Sequence, residues 1–391
     1  MFSLGIDASR ANCSNRTGTE WYVFNLIQQF KQLLPADEVQ VTLYTKEALV
    51  DDLQPLPKHW RHQILRWPPG LLWTQLRLSV TMLNPWKRPD VLFIPAHTIP
   101  IIHPQQTVYT AHDLGFERWP QLYANILIGG SWLNRLIRVI SLGRYSTSEF
   151  DYHRWSMRYA ARHARHIIAI SQFTAHELME LYQVSSDRIT VVHNGVTTKD
   201  YHPLPATVIH QPVYFLYTGR IEHKKNIRNL ITGFIYAKQH WALPHQLWLV
   251  GQPGYGYEDI VTVAKQSDYQ ADIKFLGYVP QAQMNSLMNQ AAAFIFPSYY
   301  EGFGIPVLEA MSAHTVVVCS NIPALREVVG QAGLFFEPNQ SATIAQALYQ
   351  VAQFTDQQRQ RYVAAGIEQL KKFSWPSCAE ETWQVLRRVV Q

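Results

Sequence analysis

Two glutamates, Glu301 and Glu309, lie eight positions apart in the segment EGFGIPVLEAM, residues 301–311. The first opens a glycine-rich loop, and the second falls in a helix predicted to begin near Pro306, because a first-turn proline loses no hydrogen bond. A helix N-terminus presents N–H groups that suit a phosphate, whereas carboxylates repel phosphate and accept hydrogen bonds from hydroxyl groups. The segment therefore predicts a ligand with both a diphosphate and sugar hydroxyls, such as a nucleotide sugar. The alternative is a loop acid followed by an ordinary acidic helix turn. The loop residues expected near the ligand are Gly302, Phe303, Gly304 and Ile305.

The elements around this loop predict how it is positioned. A short apolar run at 293–296 precedes the loop and reads as a buried strand, and a β-rich run at 315–319 follows the helix. Strand, loop, helix and strand form the repeat of a doubly wound α/β sheet, in which ligands bind beyond the carboxyl ends of the strands. The same repeat recurs in both halves of the chain and predicts two such sheets.

The Glu-x7-Glu segment resembles a motif of the retaining glycosyltransferases of family 4, also called group 1. The likeness extends over most of the chain, through the segments TAHDLGFERWP (110–120), RITVVHNGV (188–196), Gly219-Arg220 with Lys225, and SWPS (374–377). The resemblance implies an α/β fold of the GT-B type, with two Rossmann-like doubly wound domains that face each other across a deep cleft. The acceptor-side domain is expected at 1–204, with the C-terminal helix 375–391 crossing back onto it. The nucleotide-sugar domain is expected at 205–374, with the boundary between the domains inside a polar linker at 197–212.

The resemblance also assigns roles in the second domain. Arg220 and Lys225 match the family's Gly-Arg-x4-Lys clamp on the donor diphosphate, in which arginine supplies a fork of donors and lysine a mobile point charge. Glu309 is then expected to hold the ribose hydroxyls, and Glu301 to contact the donor sugar. Four further residues are expected to contact the nucleotide: Gly219, Gly277, Tyr278 and Val279.

In the first domain, His112 ends a predicted buried strand and precedes Asp113 in a segment similar to the family's His-Asp-Leu. The family's histidine lies beside the anomeric carbon and hydrogen-bonds a donor-sugar hydroxyl, so the resemblance gives His112 this role. The alternative is a His–Asp pair that caps a loop. Gly18 and Thr19 begin the helix that in the family faces the donor phosphates, although a glycine there also suits a plain tight turn. His97 is a second histidine candidate, for the acceptor side.

The composition is that of an ordinary globular chain, with 391 residues, 47% of them hydrophobic and 16% charged. Three scattered cysteines give neither a disulfide framework nor a metal motif. No signal sequence and no apolar run of transmembrane length are evident, so we expect a cytoplasmic protein. Because the sequence has no Asp-x-Asp and no Cys/His cluster with metal spacing, we expect neither a metal nor a cofactor. Cations and helix N-termini would then stabilise the leaving diphosphate.

Positive charge is concentrated in the region from Arg135 to Arg165, which contains seven arginines and only two acidic residues. Residues 124–149, which overlap the start of this region, resemble an insertion relative to the family and predict a helix with one apolar and one basic face. Such a helix either lies on an anionic membrane surface, through 130–165, or packs on its own domain. The expected location is therefore cytoplasmic, with a peripheral position on the inner face of the membrane as one of the two alternatives.

The resemblance implies a glycosyltransferase that acts with retention at the anomeric carbon, and the lack of a metal motif predicts that it needs no metal ion. It would move a hexose from a nucleotide sugar to a glycan or lipid-linked acceptor of polysaccharide biosynthesis. GDP-mannose is the favoured donor, and a UDP-sugar is the second candidate. The alternatives are a nucleotide-sugar epimerase of the same fold, an inactive sugar-binding relative, or a basic membrane- or nucleic-acid-binding protein without transfer activity. No nucleic-acid partner is expected, because residues 206–391 are nearly neutral, with 14 Lys/Arg against 13 Asp/Glu.

Overall fold

The computed structural model describes residues 1–14, 16–67, 73–123, 148–203 and 212–391. The chain divides into two compact units. Unit 1 comprises Met1–Glu117, Asn125–Gly195 and Trp375–Gln391, and unit 2 comprises Arg118–Ala124 and Val196–Ser374. The boundary between the domains that the sequence predicts, between residues 204 and 205, lies nine residues after the boundary between Gly195 and Val196 in the structure.

Unit 1 is built on a parallel sheet whose described strands follow the order β3-β2-β1-β4-β5-β6-β7. The strands are β1 (Phe2–Asp7), β2 (Val39–Thr45), β3 (Arg61–Ile64), β4 (Val91–Ile94), β5 (Thr107–Ala111), β6 (His166–Ala169) and β7 (Ile189–Val191). All side chains of β4, β5 and β6 are buried, because helices cover both faces of a parallel sheet. The edge strand β3 has the sequence Arg-His-Gln-Ile and no buried residue, so it carries no apolar signal that could have predicted it.

The helices of unit 1 cover this sheet. They span Gly18–Leu33, Ser79–Met82 after a π-helical stretch at Trp73–Leu78, Gly115–Arg118, Glu149–His163, Gln172–Tyr182 and Trp375–Val390. Helix Gly18–Leu33 buries residues at helical spacing, from Tyr22 to Phe30. The C-terminal helix Trp375–Val390 shares a hydrophobic core with this helix and with β1 and β2. Its Trp383 ring stacks on Phe2 at 5.7 Å between centroids.

Unit 2 contains a second parallel sheet, in the order β10-β9-β8-β11-β12-β13. Its strands are β8 (Tyr214–Thr218), β9 (Gln246–Val250), β10 (Ile273–Gly277), β11 (Ala293–Phe296), β12 (Val317–Ser320) and β13 (Gly333–Phe336). Its helices are Ile227–Trp241, Tyr257–Lys265, Gln281–Gln290, Ile305–Ser312, Pro323–Val329, Ser341–Ala352 and Asp356–Leu370. The helix that carries Glu309 begins at Ile305, so Pro306 is its second residue and not the predicted first. A proline is tolerated there as well, because the N–H groups of the whole first turn lack partners within the helix.

In each sheet the strand order reverses direction once, between β1 and β4 in unit 1 and between β8 and β11 in unit 2. All pairs are parallel, so the carboxyl ends of the strands lie along one edge. At the point of reversal, the connections that follow the two neighbouring strands run to opposite faces of the sheet. A crevice therefore opens beyond the carboxyl ends of those strands. The loops after β1, β4, β8 and β11 are therefore where each unit is expected to bind a ligand.

No helix among the described residues combines the length and the apolar character that crossing a bilayer requires. Most of the predicted amphipathic insertion, residues 124–147, lies outside the described part of the chain.

Candidate active site

The loops after β8 and β11 meet through an ion pair in unit 2. The Lys225 ammonium donates to Glu301 Oε1 at 2.5 Å, and the two side chains are only 16% and 13% exposed. Opposite charges that are largely withdrawn from water attract each other more strongly than a pair on the surface. The structure thus brings together two predicted site residues that are 76 positions apart in the chain.

Asn226, which sequence reasoning missed, holds these two loops together. It follows Lys225 in the left-handed region, at φ 59°. Its side-chain amide donates to the carbonyl of Pro297 at 3.0 Å and to that of Pro338 at 2.7 Å. Asparagine is one of the few residues other than glycine that adopts this backbone region readily. The Lys225 turn is therefore fixed against the loop that carries Glu301.

Arg220 lies on the same loop as Lys225 and is exposed. Gly219, beside it, has φ 139°, and a Cβ there would lie 2.7 Å from the Tyr217 hydroxyl oxygen. A Cβ on Gly251 would lie 1.8 Å from the Gly219 carbonyl oxygen. The Tyr217 hydroxyl donates to the Arg220 carbonyl at 2.8 Å. The close approach of the loops after β8 and β9 thus requires glycine at position 251, and the backbone conformation favours glycine at position 219.

Glu309 lies on helix Ile305–Ser312, where it is half-buried. Burial raises the pKa of Glu309 to about 7, a hydrogen bond from the Tyr201 hydroxyl opposes this rise, and the nearby charge of Asp200 adds to it. Tyr201 is fixed on the same helix, because Ser312 Oγ donates to its carbonyl at 2.6 Å. Glu309 is therefore a carboxyl group that changes its charge near neutral pH.

Tyr201 is the second site residue that the sequence did not reveal. It falls in the stretch 197–212, which the sequence assigns to a polar linker, and only its aromatic character sets it apart there. Within this stretch, Tyr201 and His202 are hydrogen-bonded to other parts of unit 2. Asn285 Oδ1 accepts from the His202 backbone N–H at 3.0 Å, and Asn289 donates to the His202 carbonyl at 2.9 Å.

The glycine loop between Glu301 and Glu309 is held by packing. Gly302 and Phe303 are buried, and the Phe303 ring meets Phe373 edge-on at 5.5 Å between centroids. Gly304 has φ 110°, and a Cβ there would lie 2.6 Å from Leu325 Cδ2, so the turn into the helix requires glycine. Ile305 begins the helix and is half-buried.

The predicted base-site residues lie at the same edge of the sheet. Gly277 ends β10 with φ 67°, and its carbonyl accepts from the Gly251 N–H at 2.8 Å. Tyr278 is 67% exposed and Val279 is half-buried. The loops after β8, β9, β10 and β11 thus bring the predicted nucleotide residues of unit 2 to one edge.

In unit 1, His112 follows β5 and is buried. Its Nε2 lies 3.1 Å from the carbonyl oxygen of Pro95, and its ring meets Tyr22 edge-on at 4.8 Å between centroids. Burial lowers the pKa of His112. The ring is then neutral at pH 7, and with its proton on Nε2 toward Pro95 the Nδ1 atom is an acceptor.

His97 follows β4, at the reversal of strand order in unit 1. Its ring lies 5.8 Å from that of His112 and 6.1 Å from that of His153. Burial, together with the neighbouring His112, lowers the pKa of His97 to about 3. The structure therefore brings both predicted histidines together as neutral groups.

Gly18 and Thr19 are the first two residues of helix Gly18–Leu33, after the loop that follows β1. Thr17 caps this helix, and its backbone N–H donates to the Glu20 carboxylate at 3.1 Å in a capping box. A Cβ on Gly18 would meet nothing within 4 Å. Packing of the fold therefore does not require glycine at position 18.

Two arginines of the basic region 135–165 form ion pairs within unit 1, on helix Glu149–His163. Arg154 Nε donates to Glu117 at 2.9 Å and Arg158 Nε lies 3.3 Å from the same carboxylate, which is 7% exposed. These two arginines therefore neutralise a buried acid of their own unit. As for metals, the described ranges contain no group of three or more His, Cys, Asp or Glu residues placed to hold an ion.

Comparison with known proteins decides the family. Residues 206–369 match the family model described as "Glycosyl transferases group 1", and residues 16–200 match "Glycosyltransferase Family 4". The chain belongs to the group 1 glycosyltransferases. The predicted family is thereby confirmed.

Two curated relatives of this group 1 glycosyltransferase are O-antigen enzymes. The chain is 36% identical over 228 residues to "O-antigen chain mannosyltransferase B" of Escherichia coli, which covers 56% of the chain and 59% of that protein. It is 25% identical over 285 residues to "O-antigen chain mannosyltransferase RfbU" of Salmonella typhimurium, which covers 73% of the chain and 70% of that protein. The match therefore spans less than two thirds of the Escherichia coli protein.

Solved structures share the fold of this group 1 glycosyltransferase. Sucrose-phosphate synthase from Thermosynechococcus elongatus superposes with a TM-score of 0.71 at 17% identity, over 99% of each chain. Anabaena HepE, solved in complex with UDP and glucose, superposes with a TM-score of 0.68 at 16% identity, over 99% of this chain and 100% of that one. At this identity the likeness shows the fold alone, and it confirms the predicted GT-B class with two Rossmann-like domains. The predicted cleft between the domains stays a prediction.

Proposed function

We propose that this protein transfers a hexose from a nucleotide sugar to a hydroxyl group of a glycan or lipid-linked acceptor. The observation that carries the proposal is the arrangement in unit 2, where Lys225, Glu301 and Glu309 lie on the loops and helix that follow β8 and β11. This is the position where a doubly wound sheet binds its ligand. Cations and carboxylates together suit a ligand that has both a diphosphate and hydroxyl groups.

Arg220 and Lys225 bind the diphosphate in this proposal. When the bond between the anomeric carbon and the diphosphate oxygen breaks, negative charge develops on the leaving group, and positioned cations lower the barrier. An ammonium group has three N–H donors, so the bond from Lys225 to Glu301 does not exhaust its capacity for phosphate oxygens. Glu301 both positions Lys225 and accepts hydrogen bonds from the donor sugar.

Glu309 accepts hydrogen bonds from the ribose hydroxyls, with Tyr201 holding its carboxylate. In unit 1, His112 accepts a hydrogen bond from a donor-sugar hydroxyl through Nδ1, and Gly18 and Thr19 bring helix N–H groups toward the phosphates. Transfer with retention at the anomeric carbon and without a metal ion completes the proposal. These last two features are supported by the resemblance to the retaining family and by the lack of an Asp-x-Asp sequence.

GDP-mannose is the proposed donor, with a UDP-sugar as the second candidate. Both O-antigen relatives are named mannosyltransferases, and they share sequence with this chain over more than half of its length. The UDP alternative is supported by HepE, which shares the fold and was solved in complex with UDP and glucose. The proposed acceptor is an intermediate of cell-surface polysaccharide synthesis on a lipid carrier. A membrane surface bound through 130–165 remains a prediction, because residues 130–147 lie outside the described residues.

A panel of nucleotide sugars tests the proposal. We expect GDP-mannose to raise the thermal midpoint of unfolding in the absence of added metal, because a ligand that binds only the folded state stabilises it. Slow release of GDP and mannose, with α-mannose as the first anomer detected by NMR, is expected from transfer to water with retention.

Each other outcome has a defined meaning. If only a UDP-sugar raised the thermal midpoint, the proposed donor would change to that UDP-sugar and the proposed function would stand. Conversion of the donor into an epimer with the nucleotide still attached would favour the epimerase, and absence of any shift across the panel would contradict the proposal.

A further inference from the structure

An apolar surface in unit 1 has no role in the proposed function. Leu76, Val80 and Leu83 are exposed and follow one another at i, i+4 and i+7, so they share one face of the helical stretch that runs from Trp73 to Met82 and is capped by Leu83. Trp86 follows in the next turn and is 94% exposed. A tryptophan side chain this fully in water is unusual, because it leaves a large apolar area without a partner.

Two more exposed apolar residues extend this face. The backbone N–H of Ile102 donates to Ser79 Oγ at 3.1 Å, and that of Ile101 lies 3.5 Å from the Gln75 carbonyl, so this dipeptide runs beside the helix. The Tyr159 hydroxyl fixes it from the other side by donating to the Ile101 carbonyl at 2.8 Å. The 76–102 apolar patch therefore comprises Leu76, Val80, Leu83, Trp86, Ile101 and Ile102.

The chain around the patch is basic. Between Arg61 and His112 the sequence holds five Lys or Arg residues and a single acid, Asp90. Lys87 and Arg88 directly follow Trp86 and are exposed. Asp90 supplies one negative charge against these two cations, and its carboxylate is held by hydrogen bonds from the Ser3 N–H at 2.7 Å and the Ser3 hydroxyl at 2.8 Å.

We propose that the 76–102 apolar patch docks this protein on an anionic phospholipid bilayer. Aliphatic side chains would enter the boundary between headgroups and acyl chains, and Trp86 would lie at the headgroup level, where its amphipathic ring is favoured. Lys87 and Arg88 would contact the anionic headgroups, each adding to the attraction. The charge decides for a lipid surface over a second copy of this chain, because two copies would bring their own cations together at such an interface.

Vesicle flotation tests the proposal with the full-length protein and without any nucleotide sugar, so its result is independent of the proposed function. Vesicles of phosphatidylcholine are compared with vesicles that also contain phosphatidylglycerol, at low and high salt. The wild-type protein should float with the anionic vesicles and less so at high salt. The double variant Leu83→Glu/Trp86→Ala should lower the apparent partition coefficient by about tenfold or more.

Matched variants separate the apolar and the charged contributions. Lys87→Gln/Arg88→Gln should weaken binding by about tenfold and remove most of its salt dependence. Ile367→Glu places the same charge on an exposed apolar helix residue of unit 2 and should float like the wild type. Far-UV circular dichroism and the thermal midpoint of unfolding check that each variant is folded.

Three results would overturn the proposal. In the first, the wild type does not float with either kind of vesicle. In the second, the double variant floats as well as the wild type, which would assign the membrane attachment to another segment. Alternatively, light scattering would show vesicle-independent self-association that Leu83→Glu abolishes, which would make the patch an interface between copies.

Discussion

Glu309→Gln should weaken binding of the nucleotide-sugar donor by about 100-fold, because hydrogen bonds to a charged acceptor contribute about 1.5–3 kcal/mol each and a ribose diol supplies two. The carboxylate is the form that accepts both hydroxyls, so binding to the wild type should tighten as pH rises through the pKa of Glu309, about 7. Between pH 6 and pH 8 the dissociation constant should fall about tenfold. The glutamine variant should show a flat profile. The measurement is calorimetric titration with an intact nucleotide sugar, since a terminal phosphate, as in GDP, itself titrates near pH 6.

The same substitution should increase the stability of the unliganded protein. The pKa of Glu309 is about 7 in the fold and 4.5 without it. The folded state therefore binds the proton more tightly, and the wild type loses stability as pH rises from 4.5 through 7. At pH 8, Glu309→Gln should be more stable by up to about 3 kcal/mol. Loss of binding together with a lower thermal midpoint would instead indicate simple damage to the fold.

A variant of Tyr201 tests whether the pKa of Glu309 sets the pH dependence of donor binding. Its hydroxyl donates to Glu309 and thereby lowers the pKa of that carboxyl. Tyr201→Phe should move the midpoint of the binding profile to higher pH. Ser312→Ala removes only the hydrogen bond to the Tyr201 carbonyl and should leave the midpoint in place. Equal shifts in both variants would mean that Tyr201 supports the helix and does not act on Glu309.

Lys225→Ala should lower kcat by about 100- to 1000-fold, the usual effect of removing one preorganised group that stabilises developing negative charge. It should also destabilise the protein by about 2 kcal/mol or more, because Glu301 is left as a mostly buried carboxylate without its partner. Turnover is measured as release of the nucleoside diphosphate, and stability as the free energy of unfolding in urea.

A double variant separates the two effects of this lysine. Lys225→Ala/Glu301→Gln removes the unpaired charge and should recover much of the stability without recovering turnover. Lys265→Ala, an exposed lysine on helix Tyr257–Lys265, should change neither quantity. If Lys225→Ala retained the wild-type kcat, the lysine would be only a structural partner of Glu301.

Much of the fold could be predicted because its strands are buried on both faces. The runs at 2–7, 107–111, 246–250 and 293–296 are apolar and end at polar or turn residues, and the structure has strands with these bounds. β3 escaped prediction since it lies at the sheet edge without a buried side chain. β13 is a short Gly-Leu-Phe-Phe run, and a run of this length does not distinguish a strand from a buried helix segment.

The site was predictable only in part. The glutamates and cations are visible in the sequence as a motif, but their partners depend on contacts between distant segments. Nothing in the sequence pairs Lys225 with Glu301, since the contact follows from the reversal of strand order between β8 and β11. Tyr201 and the raised pKa of Glu309 depend on burial, which a polar stretch of sequence does not reveal. The same holds for the exposed face of Leu76, Val80 and Leu83, because an apolar helical pattern ordinarily predicts a buried face.

A crystal structure with the nucleotide sugar that gives the largest thermal shift tests the central claim most directly. The account predicts diphosphate oxygens within about 3 Å of Lys225 Nζ and of the Arg220 guanidinium, and the ribose diol on the Glu309 carboxylate. A nucleotide bound away from the loops that follow β8 and β11, with Lys225 still held only by Glu301 and Glu309 only by Tyr201, would contradict it.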